Sequence, residues 1–167
     1  MRAHHHPGSP GSAHLPAPGP ANSPTRLAFS ATLHCLSGCA IGEVLGMVIG
    51  SAMGLGNGAT VVLSIALAFA FGYAFTALPL LRQGFALPRA MRLALAADTV
   101  SIAIMEVVDN ALMLVIPGAM NAGLDSALFW GSLVLSLLLA GVAAFPVNRW
   151  LIARGAGHAV VHQAHRH

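Results

Sequence analysis

Residues 27–55 read LAFSATLHCLSGCAIGEVLGMVIGSAMGL, an apolar stretch with a single carboxyl group, that of Glu43. A helix needs about 20 predominantly apolar residues to cross a bilayer core of roughly 30 Å, so this stretch is long enough to do so. Glycine recurs at every fourth position from residue 38 to residue 54. Small residues at this spacing let two membrane helices approach backbone to backbone. The stretch therefore predicts a membrane-spanning helix with a tight packing face.

Three further apolar stretches follow the first one. Trp130 and Trp150 frame the last of them and stand about 30 Å apart along a helix, the separation expected for aromatic anchors at the two headgroup layers. The whole chain is 56% hydrophobic and only 8% charged, which excludes an ordinary soluble domain. We predict an all-α integral membrane protein, a four-helix bundle with helices at about 27–55, 60–81, 92–116 and 127–150.

Both ends of the chain differ from this domain of residues 27–154. Residues 1–26 are rich in proline, glycine and histidine, and residues 155–167 are rich in histidine. Segments of this composition cannot bury a core, so we expect two disordered tails. Neutral imidazoles in them could collect or sense Zn(II), Cu(II) or Ni(II). An incidental low-complexity tract is the competing interpretation.

The arginines predict the orientation, because short cytoplasmic loops retain positive charge. Arginines precede span one, join span two to span three, and end or follow span four, whereas the connections 56–59 and 117–126 have none. Both termini should therefore be cytoplasmic, and we expect the inner membrane of a bacterium.

A weak internal repeat relates the two halves of the chain. Residues 48–53, VIGSAM, reappear as residues 115–120, VIPGAM, after a shift of 67 positions. The same shift maps Pro79 and Arg82 onto Pro146 and Arg149. We read this as two helical hairpins related by a parallel repeat, which would place span one beside span three in the same direction.

Four of the five acidic residues lie inside the predicted spans. A charged group costs roughly 2.5 to 3.5 kcal/mol at the membrane centre, so such residues usually face a bundle interior and mark an ion, proton or substrate site. Spans one and three place acids and sulfur atoms at matching depth. The candidate site residues are His34, Cys35, Cys39, Glu43, Met47, Met105, Glu106, Asp109, Asn110 and Met113, with Asp98 and Ser101 at the cytoplasmic entrance.

The residue types of this set favour a transition-metal ion. Sulfur ligands suit copper(I), imidazole suits copper and zinc, and carboxylates suit harder ions or protons. We favour copper(I) and place zinc next, because three methionines flank the acidic level. Each element also has a simpler interpretation: buried cysteines are common packing residues, and Asp98 could pair with an arginine such as Arg92.

The stretches at residues 33–43, 97–99 and 105–110 resemble the prokaryotic membrane domain of unknown function numbered 4396. Its signature His-Cys-x-x-Gly-Cys-x-x-Gly-Glu begins at His34 here, and the likeness covers about residues 30 to 160. The resemblance implies a compact four-helix membrane domain and carries a loose association with copper. It supplies no established activity.

We therefore predict a membrane protein that binds a transition-metal ion between helices one and three. An extension of this hypothesis is that the protein also translocates the ion. A conducting path through four short helices would call for a homo-oligomer. A non-transporting assembly or accessory subunit is the first alternative, and a proton-coupled carrier of a small solute is the second. The chain has no Ser-His-Asp set, phosphate-binding glycine loop or haem-attachment motif, so we expect neither an enzyme nor another cofactor. Its modest positive charge is already explained by the membrane topology, so we expect no nucleic-acid partner.

Overall fold

The computed structural model describes residues 24–154, which form four long α-helices and no β-strand. The predicted tails at 1–26 and 155–167 lie outside the described residues, except that residues 24–26 open the first helix. A short 3₁₀ turn, Ala119–Asn121, lies between the third and fourth helices. The helices are α1, Pro24–Ala52; α2, Asn57–Arg82; α3, Leu87–Val115; and α4, Ala127–Ala153.

The helix ends follow local chain chemistry, and they shift some of the predicted bounds. Helix α1 ends before Leu55 because Gly54 adopts φ +65°, and the Leu55 amide then donates to the Gly50 carbonyl at 2.9 Å. Helix α3 begins at Leu87, five residues before the predicted start. Pro88 explains the difference, since proline is well suited to the first helical turn, where its missing N–H would have no partner.

Three helices, α1, α2 and α4, are long and apolar enough to cross a membrane. Helix α3 falls short of the same criterion because it carries five charged residues: Arg89, Arg92, Asp98, Glu106 and Asp109. Its acids point into the bundle, however, and its outer surface is apolar, with Val107, Leu114 and Val115 all about 70% exposed or more. A buried charged face and an apolar outer face are expected of a helix in a membrane bundle. The chain is an integral membrane protein.

Helices α1 and α2 form the closest pair and run antiparallel. A methyl group added at Gly42 would overlap the backbone of Ala68, and one added at Gly38 would lie 2.9 Å from the backbone of Gly72. These two helices therefore touch backbone to backbone, as the four-residue glycine spacing predicts. This contact turns the adjacent face of α1, which carries the cysteines and Glu43, towards the rest of the bundle.

The other contacts complete the bundle. Helix α4 lies antiparallel to α1, and the Asn148 amide donates to the Thr32 hydroxyl at 2.9 Å. Helix α2 lies antiparallel to α3, where the Tyr73 and Thr99 hydroxyls are 2.9 Å apart. Helices α1 and α3 are consequently parallel, as the repeat requires. The central core takes residues from all four helices: Cys35, Cys39, Ala68, Ile102, Met105, Ala140 and Ala144.

Candidate functional site

A column of sulfur and carboxyl groups runs along the contact between α1 and α3. We call it the polar column; it consists of Cys35, Cys39 and Glu43 on α1 and Asp98, Glu106 and Asp109 on α3. All six side chains are at most 6% exposed. Because residues four apart in a helix lie one above another, the α1 members face α3 at three successive levels.

The two lower levels each pair a thiol with a carboxyl group. The Cys35 Sγ donates to Asp98 Oδ1 at 3.8 Å. One turn above, the Cys39 thiol lies against the Glu106 carboxyl. The Asn110 amide donates to the Glu106 main-chain carbonyl at 2.9 Å and to its Oε2 at 3.5 Å. Each cysteine thus has an acidic partner on α3, and Asn110 holds the side chain of Glu106.

The upper level brings two acids together. Glu43 interacts directly with Asp109, and its other electrostatic neighbour is Glu106, also an acid. Neither carboxyl oxygen of Glu43 has a hydrogen-bond partner of ordinary geometry among the described residues. The Asp109 Oδ1 accepts a short hydrogen bond from the Ser136 hydroxyl of α4. Glu43 is therefore the polar group of this level with the least compensation from the protein.

This arrangement has an electrostatic consequence. Two ionised carboxylates side by side in a low-dielectric interior repel each other, and each also loses the solvation that water would provide. A positive charge must therefore sit between or beside them. A proton can supply that charge, and so can a bound cation. A cation that reached the Glu43–Asp109 pair would thus compete with protons for the same two carboxyl groups.

A cavity of about 110 Å³ reaches the Glu43–Asp109 pair from the end of the bundle that holds the connections 53–56 and 116–126. We call this cavity the vestibule. Its lining residues near the pair include Asn110 and the thioethers of Met47 and Met113, and Met120 lines it farther out. The space is large enough for several water molecules.

Other predicted ligands lie away from the vestibule. His34 is half-buried and packs edge-on against the ring of Phe75 on α2, with ring centroids 5.6 Å apart. Met105 is buried in the central core beside the cysteines. Ser101 is fully buried next to Cys35, at the same level of the bundle as Asp98. His34 is therefore separated from the two cysteines that were predicted to share its site, because His34 faces α2 and the cysteines face α3.

Within residues 24–154, no three His, Cys, Asp or Glu side chains are placed so that they could hold one metal ion. The column instead distributes its groups in pairs over three levels. A metal ion at the upper level would need ligands beyond Glu43 and Asp109, and the vestibule offers thioether sulfur, amide oxygen and water for that purpose.

Ser136 is a site residue that the sequence analysis missed. Its hydroxyl bonds both Asp109 and the Leu133 carbonyl, and it is fully buried. A signal for it is present in the sequence, because small or polar residues recur at every fourth position along the buried face of α4: Ser132, Ser136, Ala140, Ala144 and Asn148. A similar spacing on α2 marks Thr60 and Ser64, which line the vestibule.

Comparison with known proteins identifies the family through this same region. The model of a family described as "Domain of unknown function (DUF4396)" matches residues 26–157. The chain belongs to this family. The match covers all four helices except the first two residues of α1, and it includes every member of the polar column, so the column lies wholly inside the DUF4396 domain. No curated protein and no solved structure matches the chain.

Proposed function

We propose that this DUF4396 protein binds a small metal cation at the Glu43–Asp109 pair and gives up protons from the pair when the cation enters. One observation carries the proposal: Glu43 is 94% buried and lines the vestibule, its direct neighbour Asp109 is another acid, and its carboxyl oxygens have no hydrogen-bond partner of ordinary geometry among residues 24–154. A buried carboxyl group in that position is stabilised by any cation that can reach it.

The other donors of the vestibule support a soft transition-metal ion. Met47, Met113 and Met120 line the same cavity as the two acids. Thioether sulfur binds copper(I) well and hard ions such as Mg²⁺ poorly, whereas carboxylate oxygen accepts both classes. Copper(I) is therefore the first candidate and zinc(II) the second.

The two thiols lie deeper in the bundle than the Glu43–Asp109 pair, and their positions are the basis for proposing translocation as well as binding. Cys39 with Glu106 is one helical turn from Glu43, and Cys35 with Asp98 is a further turn away. One turn is about 5.4 Å, so an ion leaving the upper level would meet a thiol–carboxyl pair after each such step. In this proposal the protein resides in the bacterial inner membrane with both termini in the cytoplasm, and a homo-oligomer supplies a longer path.

Metal content of the purified full-length protein tests the binding step. Copper(I) is added under anaerobic conditions in competition with a colorimetric chelator, and zinc(II) is measured separately. We expect Glu43→Gln and Asp109→Asn each to lose about one bound copper(I) per chain relative to the unaltered protein. Asp125→Asn is the matched control, because Asp125 is an exposed acid outside the vestibule. The tail histidines are present in every variant, so any copper(I) that they bind contributes equally to each sample and does not affect the difference between variants.

Unchanged copper(I) stoichiometry and affinity in Glu43→Gln would refute the metal proposal. The second candidate, a proton-coupled carrier of a small solute, then becomes the better one. The observation that favours it is the lack of any three-ligand group of His, Cys, Asp or Glu among the described residues. Proteoliposomes containing a pH-sensitive dye would then show proton flux that depends on Glu106 and Asp109 without metal. If neither metal binding nor proton flux occurs, the remaining role is that of an accessory subunit with structural polar residues.

A further inference from the structure

The vestibule opens at only one end of the bundle. Its outer lining comes from the end of α1, the connection to α2, the starts of α2 and α4 and the 3₁₀ turn: Ser51, Leu55, Asn57, Ala119, Met120 and Phe129. Its innermost residues are Glu43 and Asp109. Glu43 lies nine residues before the end of α1 at Ala52, which corresponds to a depth of about 13 Å along the helix.

Beyond the two acids the bundle is packed. Cys39, Ile102 and Met105 are each at most 1% exposed, and they fill the level below the pair. Farther down, Leu80 packs fully buried against Ala90 and Ala94. No residue of these layers lines the vestibule. The described bundle therefore gives the Glu43–Asp109 pair access to one face and closes it from the other.

The arginines lie at the closed end. Because neighbouring helices are antiparallel, the start of α1, the end of α2, the start of α3 and the end of α4 share one end of the bundle. These segments carry all the arginines of the described residues: Arg26, Arg82, Arg89, Arg92, Arg149 and Arg154. The connections at the open end, 53–56 and 116–126, have no basic residue.

A hydrogen bond crosses the mouth of the vestibule. The Asn57 Nδ2 donates to Asn121 Oδ1 at 3.0 Å, which joins the start of α2 to the 3₁₀ turn before α4. Asn57 lines the vestibule, and both asparagines are exposed. This bridge therefore joins the two helical hairpins at the end of the bundle where the vestibule opens.

We infer that the vestibule is an entry site on the extracytoplasmic face, from which the Glu43–Asp109 pair takes a small cation directly. The closed, arginine-bearing end is then cytoplasmic, since membrane proteins retain arginine-rich connections on that side. The identity of the occupant rests on the proposed function, whereas the direction of access rests on the shape of the bundle and on its charge. The protein in this conformation would receive its cation from outside the cell membrane.

Thiol labelling of the full-length chain tests the direction of access. Single cysteines are introduced at positions along the vestibule, and a membrane-impermeant cationic methanethiosulfonate reagent is applied to right-side-out or inverted membrane vesicles. The native thiols contribute little background because Cys35 and Cys39 are each 1% exposed. Ser51→Cys reports on the mouth and Met47→Cys on a level one turn above Glu43.

We expect both variants to be labelled at least tenfold faster in right-side-out vesicles than in inverted ones. Val48→Cys is the matched control for depth: Val48 is adjacent to Met47 but faces outward, 43% exposed, and does not line the vestibule. It should be labelled slowly from both sides because it faces lipid. Gln83→Cys, exposed at the arginine-bearing end, should be labelled faster in inverted vesicles.

Two results would overturn the inference: faster labelling of Ser51→Cys in inverted vesicles, or a Met47→Cys rate no higher than that of Val48→Cys. Neither measurement needs metal. Access could therefore be confirmed while Glu43→Gln binds copper(I) normally, which would refute the proposed function alone. Conversely, loss of metal from Glu43→Gln together with labelling from the cytoplasmic face would refute only the direction of entry.

Discussion

Asp109 illustrates how a neighbouring helix supports an acid in the bundle. The hydroxyl group of Ser136 donates to its Oδ1, so α4 contributes to a site whose acids lie on α1 and α3. The contrast with Glu43 is informative, since Glu43 has no such donor among the described residues. Asp109 is thus the acid that the protein holds in place, and Glu43 is the one that a proton or cation must compensate.

Replacement of Ser136 by alanine should destabilise the protein. The change leaves a buried acceptor of Asp109 without its donor, and an unsatisfied buried polar group costs about 1–3 kcal/mol. Thermal unfolding in detergent micelles can be followed with a thiol-reactive fluorophore, because Cys35 and Cys39 become reactive only when the bundle opens. We expect a clear decrease in the melting temperature of Ser136→Ala.

Ser132→Ala is the control for this prediction. The Ser132 hydroxyl is buried on the same face of α4, but it bonds only to carbonyls of its own helix, those of Leu128 and Phe129. Its loss should therefore cost less than the loss of Ser136. Equal melting temperatures for the two variants would show that the bond to Asp109 contributes little to stability.

Among the helices, the contact between α1 and α2 sets the positions of the others. Without a hydrophobic driving force between helices in lipid, close packing of small residues provides much of the association free energy. The glycine face of α1 provides that packing against Ala68 and Gly72 of α2. Because this contact orients α1, it also decides that Cys35, Cys39 and Glu43 face α3 rather than lipid.

Gly42→Val should separate α1 from α2 and destabilise the bundle. Its Cβ would overlap the Ala68 backbone, which cannot move aside as a flexible side chain could. Overpacking of this kind typically costs about 1–3 kcal/mol, and a larger cost is expected where backbone meets backbone. Melting temperature in the thiol-reactivity assay is again the measurement, with a substantial decrease expected.

Gly131→Ala provides the comparison for a glycine without a packing role. Nothing lies within 4 Å of a methyl group added there, near the start of α4. Alanine is favoured over glycine in a helix by about 1 kcal/mol, so stability should be unchanged or slightly higher. A melting temperature of Gly42→Val equal to that of the unaltered protein would contradict the backbone contact.

Across the bundle, the separation of charge between the two ends predicts the orientation of the molecule. The arginines of the described residues lie at one end, and the vestibule opens at the other. The polar column lies between these two ends in the interior of the bundle. The direction of insertion therefore decides which compartment the vestibule and the Glu43–Asp109 pair face.

Reporter fusions in bacterial cells test that orientation. Green fluorescent protein attached after His167 should fluoresce, and alkaline phosphatase at the same point should be inactive, because the C-terminus is predicted to be cytoplasmic. Alkaline phosphatase inserted in the connection 116–126 should be active. The reverse pattern would contradict the predicted topology and would also reverse the side from which the vestibule opens.

Much of the fold can be predicted from residues that lie near one another in the chain. Apolar length predicted four helices, and glycine spacing predicted a close packing face on α1, because each depends on residues near one another in the chain. The helix bounds differ more from the prediction: α3 starts at Leu87, five residues early, because Pro88 is well suited to a first helical turn. The metal-binding function remains a prediction.

Helix pairing, by contrast, depends on surfaces from distant parts of the chain, which only the folded bundle brings together. It places Glu43 against Asp109, turns His34 towards Phe75, and recruits Ser136 from α4. Insertion into a bilayer follows from the hydropathy of each segment alone, whereas association of the inserted helices follows from the fit between them. The four helices and the matching depth of Glu43 and Asp109 could therefore be predicted from the chain, while the vestibule and the part that Ser136 plays beside Asp109 became visible only in three dimensions.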